Sequence, residues 1–180
     1  ALPAVEPKLR DLALEESFSA VQLVLATALS LREEQKKRLR WPLNELVLVT
    51  ETGNRFAKVL SVLESQANVK KAREMKTKPS DAKFAWKESE GVQVGLDISA
   101  DTALQDEWEY MELRRLVQDA RKTAKLSPDM TVELEIACSD SAFLQKIRKQ
   151  LESECRVKTL AGKGEMTKLV NRSFFIRLAK

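Results

Sequence analysis

The stretch Arg38-Leu39-Arg40-Trp41-Pro42-Leu43 divides the chain into two periodicities. Ahead of it runs a helical pattern, with Leu14, Phe18, Val21, Leu25 and Ala28 on one stripe and Val24 and Leu31 widening it. Behind it, Leu43–Thr50 is rich in aliphatic and β-branched residues and reads as a strand. Pro42 has no N–H, fixes its own φ and pushes Trp41 out of the helical region. A helix over residues 8–38 must therefore end here and the chain must enter a sheet. A large aromatic and the bases Arg32, Lys36, Lys37, Arg38 and Arg40 meet at this corner. Two readings stand side by side. Trp41 is a core anchor and the bases complement a helix C-terminus, or the corner presents cations to a polyanion.

The pattern beyond the corner predicts a short helix to about Ala67, a strand over 69–75 and a hairpin over 83–87 and 91–98. A helix capped by Asp101 then runs to about Leu126, closed by Pro128. It is followed by a strand over 131–137, a helix over 142–155 and weaker strands over 157–160 and 173–178. The expectation is an α+β fold: a long N-terminal helix, then a mixed β-sheet with helices packed mainly on one face. The two strand–helix–strand stretches share a pattern without a visible sequence repeat.

The 180 residues include no histidine, which removes the commonest general base and metal ligand. Gly162-Lys163-Gly164 lacks the upstream glycine and the Ser/Thr of a phosphate loop. Cys138 and Cys155 have no further ligand at metal spacing. No catalytic residue and no metal site is expected. The run Val21–Leu31 is too short to span a bilayer, so no membrane partner is expected. Without a disulfide framework or a signal peptide, the cytoplasm is the expected location.

Net charge is +4, but the bases are clustered. Residues 70–87 carry seven bases against Glu74 and Asp81, and residues 156–180 carry seven against Glu165. The Asp101 helix is acidic in its first half and basic in its second, where Arg114, Arg121 and Lys125 share a face flanked by Arg115 and Lys122. The macrodipole explains that order, and the shared face of bases on a rigid element is also what phosphate binding needs. Lys168 and Arg172 in the tail complete the candidate RNA contacts.

Several stretches resemble the C-terminal part of isoleucyl-tRNA synthetases of the archaeal and eukaryotic type. They are Leu2-Pro3-Ala4-Val5-Glu6, Leu14-Glu15-Glu16, Leu31-Arg32, Leu39–Leu43, Gln66–Lys70, Leu96-Asp97, and Arg114–Lys122 with Leu126 and Asp129, in the family's order. The resemblance implies that residues 1–40 end a helical anticodon-binding domain and that 41–180 form a C-terminal α+β tRNA-binding appendage. The partners would be isoleucine tRNA and the upstream anticodon-binding and catalytic domains of the same chain. ATP and magnesium would belong to that catalytic domain, whose signatures do not occur here, so this stretch would carry no cofactor. The other expectation is a structural or protein-docking appendage that braces the anticodon-binding domain without touching RNA.

Overall fold

A computed structural model describes residues 12–179, without the side chains of residues 12–14 and 17. The tether and the opening stretch at residues 2–6 lie outside the described residues, as does the Leu14 side chain. The fold is α+β, but its strands form two separate four-stranded mixed sheets rather than one. The chain divides between Ala100 and Asp101, not after residue 40.

The first unit contains α1 (Leu12–Glu34), β1 (Leu43–Val49), α2 (Leu60–Ala67), β2 (Val69–Met75), β3 (Phe84–Ser89) and β4 (Val92–Asp97). Its sheet order is β2-β1-β4-β3, with β1 parallel to β2 and antiparallel to β4. The helix expected to belong to another domain packs here: α1 lies against β3, β4 and α2. Its stripe of Val21, Val24, Ala28 and Leu31 is buried with Leu46, Leu48, Val94 and Leu96. Register explains that choice, since Leu46 stands beside Leu96 and Leu48 beside Val94 on one face of the sheet. The β3–β4 hairpin turns through Glu90 and Gly91, both at positive φ (45° and 75°), as a two-residue turn requires.

The second unit contains α3 (Thr102–Thr123), β5 (Val132–Cys138), α4 (Ser141–Cys155), β6 (Val157–Ala161), β7 (Thr167–Lys168) and β8 (Ser173–Leu178). Its sheet order is β6-β5-β8-β7, with β5 parallel to β6 and antiparallel to β8. This is the topology of the first unit again, element for element. The first helix therefore does not stand apart; α3 is its counterpart. The core joins Tyr110, Leu113 and Val117 of α3 and Phe143, Ile147 and Leu151 of α4 to Leu134, Ile136 and Phe174 of the sheet.

An aromatic ring from the sheet meets the awkward connection in each unit. β2 and β3 run parallel at opposite edges, so residues 76–83 must cross the sheet. Lys78 of that crossing sits over the Trp86 indole at 4.8 Å. Trp86 itself lies across Gly95, where an added Cβ would come within 2.6 Å of the ring. In the second unit Gly162 and Gly164 of the crossing lie against the Phe175 ring.

Candidate nucleic-acid interface

The corner after α1 is a helix stop closed by backbone bonds. Lys36 takes the left-handed conformation (φ 53°). Its N–H donates to Glu33 O at 3.0 Å, and the Lys37 N–H donates to Arg32 O at 2.7 Å. That pair of bonds is the Schellman arrangement, with lysine where glycine is usual. The helix thus ends at Glu34, four residues short of the sequence expectation, because the chain has turned before Pro42 can act.

Arg32 then locks the corner from inside. It is 2% exposed. Its guanidinium donates to Arg38 O (3.1 Å), Trp41 O (2.9 Å), Ala67 O (2.7 Å) and Asn68 O (2.9 Å). These carbonyls come from the end of the turn and from the end of α2, so one side chain fastens α1, the entry to β1 and the entry to β2. Burial brings its pKa down to about 10, which still leaves it charged at neutral pH.

The second unit builds the same lock. Lys125 is left-handed (φ 54°), its N–H donates to Lys122 O, and the Leu126 N–H donates to Arg121 O. Arg121, 4% exposed, donates to Ser127 O (2.9 Å), Met130 O (2.8 Å) and Arg156 O (3.1 Å). Ser127, Met130 and Arg156 are the counterparts of Arg38, Trp41 and Asn68. The last pair are both left-handed residues ending a helix, and each carbonyl also receives the first N–H of the central strand, from Leu43 and from Val132.

These locks correct two expected RNA contacts. Arg32 and Arg121 hold no position on a phosphate-binding face; both are interior residues spent on carbonyls. The other candidates separate by environment. Lys36, Arg38 and Arg40 are exposed and Lys37 is half-buried. On α3, Arg114 pairs with Glu154 at 3.2 Å and Arg115 with Asp119 at 3.4 Å, while Lys122 and Lys125 are exposed. Lys168 is exposed on β7. Arg172 is a third correction. Its side chain is 18% exposed, bridges Asp106 and Asp140 at 2.9 Å each, and stacks on Phe143 at 4.1 Å. Of the bases in 70–87, Arg73 is bound to Glu45, Lys83 to Asp97 and Lys87 to Glu34.

Buried carboxylates in the second unit are also taken up by structure. Glu109, fully buried, accepts the backbone N–H groups of Val170, Asn171 and Arg172, which ties the β7–β8 turn to α3. Asp140 caps α4 by accepting the Phe143 N–H. That bond first, and Arg172 second, hold its carboxyl below the usual carboxylate range. Burial pushes both cysteine thiols up, so neither is an activated nucleophile. Among the described residues there is no cluster of metal-binding side chains and no helix long and apolar enough to cross a membrane.

No protein-family profile matches the chain, and no curated protein matches it.

Proposed function

We propose that this chain is the tRNA-binding C-terminal portion of an isoleucyl-tRNA synthetase-like enzyme of the cytoplasm, holding its tRNA by phosphate contacts near the anticodon arm. The observation that supports this best is the first corner. There a buried arginine fixes the backbone of a turn whose exposed side chains include Lys36, Arg38 and Arg40. A rigid backbone holding unlike-spaced cations suits phosphates, because little order has to be imposed on binding. The order of the family-like stretches in the sequence supports the specific enzyme. Catalysis, ATP and magnesium would belong to other parts of such an enzyme.

The second reading, a bracing or protein-docking appendage, is favoured by the ion pairs of Arg114 and Arg115, which reduce the basic character of α3. It is weakened over the C-terminal part of α1, where Val21, Val24, Ala28 and Leu31 are covered within their own unit, and left open at Phe18 of the same stripe, which is 46% exposed.

The deciding measurement is binding of the full chain to isoleucine tRNA and to an unrelated tRNA across a salt series. The wild-type chain should prefer the cognate tRNA. The K36E/R38E/R40E variant should weaken binding by at least tenfold and lower the slope of log K against log salt by about 2–3. Equal binding to both tRNAs would leave a general phosphate clamp. Unchanged affinity in the variant would remove the corner and favour the bracing role.

A further inference from the structure

The two units provide an internal comparison that a single domain cannot. Residues 33–41 and 122–130 form the same corner on matching backbone bonds, yet their side chains differ at every position but one. Glu33 answers to Lys122, Arg38 to Ser127, Arg40 to Asp129 and Trp41 to Met130. The exception is Lys36 with Lys125. The frame asks for nothing particular on the outside of the turn, and still the lysine is there twice.

It stands where a lysine is least suited. Both lysines are left-handed, at φ 53° and 54°. In that conformation a Cβ crowds the following carbonyl, so helices that stop this way usually place glycine there. The chain uses glycine for a positive φ elsewhere, at Gly91 of the β3–β4 turn. The macrodipole gives one reason for a cation here. However, each helix already carries a base in its last turn, Arg32 on α1 and Arg121 with Lys122 on α3. A strained residue at two equivalent positions points to a task outside the fold.

Both lysines are exposed. Each stem leaves a backbone pinned on two sides. The lysine's own N–H is bonded to Glu33 O or Lys122 O, and the next N–H to the carbonyl of the buried arginine. In the second unit Lys122 and Arg156 are exposed at the same turn, where the Arg156 guanidinium donates to Asp129 O at 3.3 Å. Asp129 is the acid among them, and its carboxylate accepts the Ser127 hydroxyl.

We infer that Lys36 and Lys125 are equivalent RNA phosphate contacts, one in each unit, so that the second corner binds RNA in its own right. This rests on the RNA-binding reading above and extends it from the first corner to the second unit. An ammonium meets a phosphate as a point charge, and a pinned stem leaves little to be ordered on binding. Two copies of one cation geometry suit a ligand whose charge repeats, as that of a phosphodiester backbone does.

The test replaces each lysine by glycine in the full chain and reads stability and RNA binding together, with isoleucine tRNA as the probe across a salt series. K125G should raise the melting midpoint of the second unit by about 4 °C, because the left-handed strain is relieved. It should also weaken tRNA binding about threefold and lower the slope of log K against log salt by about 1. K36G should do the same through the first unit, and K36G/K125G should lower the slope by about 2. K125R should keep the wild-type affinity and gain no stability. A glycine variant that melts lower and binds as before would show that the lysine serves its helix end, and the inference falls. It falls too if K125G melts higher with binding unchanged, since the strain would then serve nothing in RNA binding. Loss of binding in K36E/R38E/R40E with K125G silent would confine the contact to the first corner and leave the phosphate reading standing. No loss in that triple variant would sink the phosphate reading itself.

Discussion

Replacing Arg121 by methionine tests the interior lock directly. Methionine keeps most of the apolar stem and removes every donor. Ser127 O and Arg156 O would each retain a backbone partner, from the Met130 and Val132 N–H groups, so those carbonyls are left half-satisfied. Met130 O loses the 2.8 Å bond from Arg121. A hydrogen bond from a charged donor contributes about 1.5–3 kcal/mol, and a buried polar group left unmade costs about 1–3 kcal/mol. Relief of guanidinium burial offsets part of this. The net loss should be about 3 kcal/mol, which for a unit of this size lowers the melting midpoint by roughly 12 °C or more. Urea denaturation followed by amide hydrogen exchange in β5 and β6 reads the second unit specifically. Arg121→Lys should recover less than half of the loss, because an ammonium cannot fork to three carbonyls. A methionine variant within about 1 kcal/mol of wild type would show that the carbonyls find other partners and that the lock is incidental. Charge reversal at Arg121 is accordingly a poor probe of RNA binding, since it should unfold the unit first.

Gly95→Ala should cost about 1–3 kcal/mol by overpacking, because the new methyl meets the Trp86 ring at 2.6 Å; a thermal melt checks it, and W86L should relieve the clash. Glu109→Gln should raise hydrogen exchange at residues 170–172, since an amide offers one acceptor oxygen where the carboxylate uses both. Asp140 has a folded-state pKa held below its ordinary 3.8. Its contribution is therefore complete above that value and is lost as pH falls through and below it. Acid titration by circular dichroism should show α4 loosening below about pH 4 in wild type, and Asp140→Asn should flatten that part of the curve.

Most of the elements were legible because their apolar spacing is regular. The clean alternation over 131–137 became β5 one residue later, and Asp101 caps the helix it precedes. The doubling of the fold was not legible, for a physical reason. What the two units share is a set of backbone bonds, and carbonyl acceptors leave no mark in a sequence. Of the residues that build the locks, Arg32 with Arg121 and Lys36 with Lys125 are identical; the acceptor positions carry unrelated side chains. The same fact hid the role of the arginines. A base in the last turn of a helix looks like a surface residue serving the macrodipole, and nothing in its neighbours says that four carbonyls will converge on Arg32. The left-handed lysines hid the helix stop, since a glycine would have announced it. The candidate interface was legible only as a charge cluster. Which of its bases are exposed depends on the fold.

The order in which the lock's parts appear along the chain matters for how each unit forms. Arg121 reaches Ser127 and Met130 within nine positions of itself, but its third acceptor is Arg156, on the far side of β5 and α4. The turn can therefore close early, as a local structure, while the guanidinium waits with one arm unfilled until α4 has ended in its left-handed residue. Closing that last bond fixes the start of β6 beside the start of β5. The arginine acts as a latch that sets the register of a parallel strand pair, the kind of long-range pairing that is slowest to find. In the first unit Arg32 does the same between the turn and Asn68. A chain lacking the latch would still collapse on its apolar faces, but its edge strand would be free to slip.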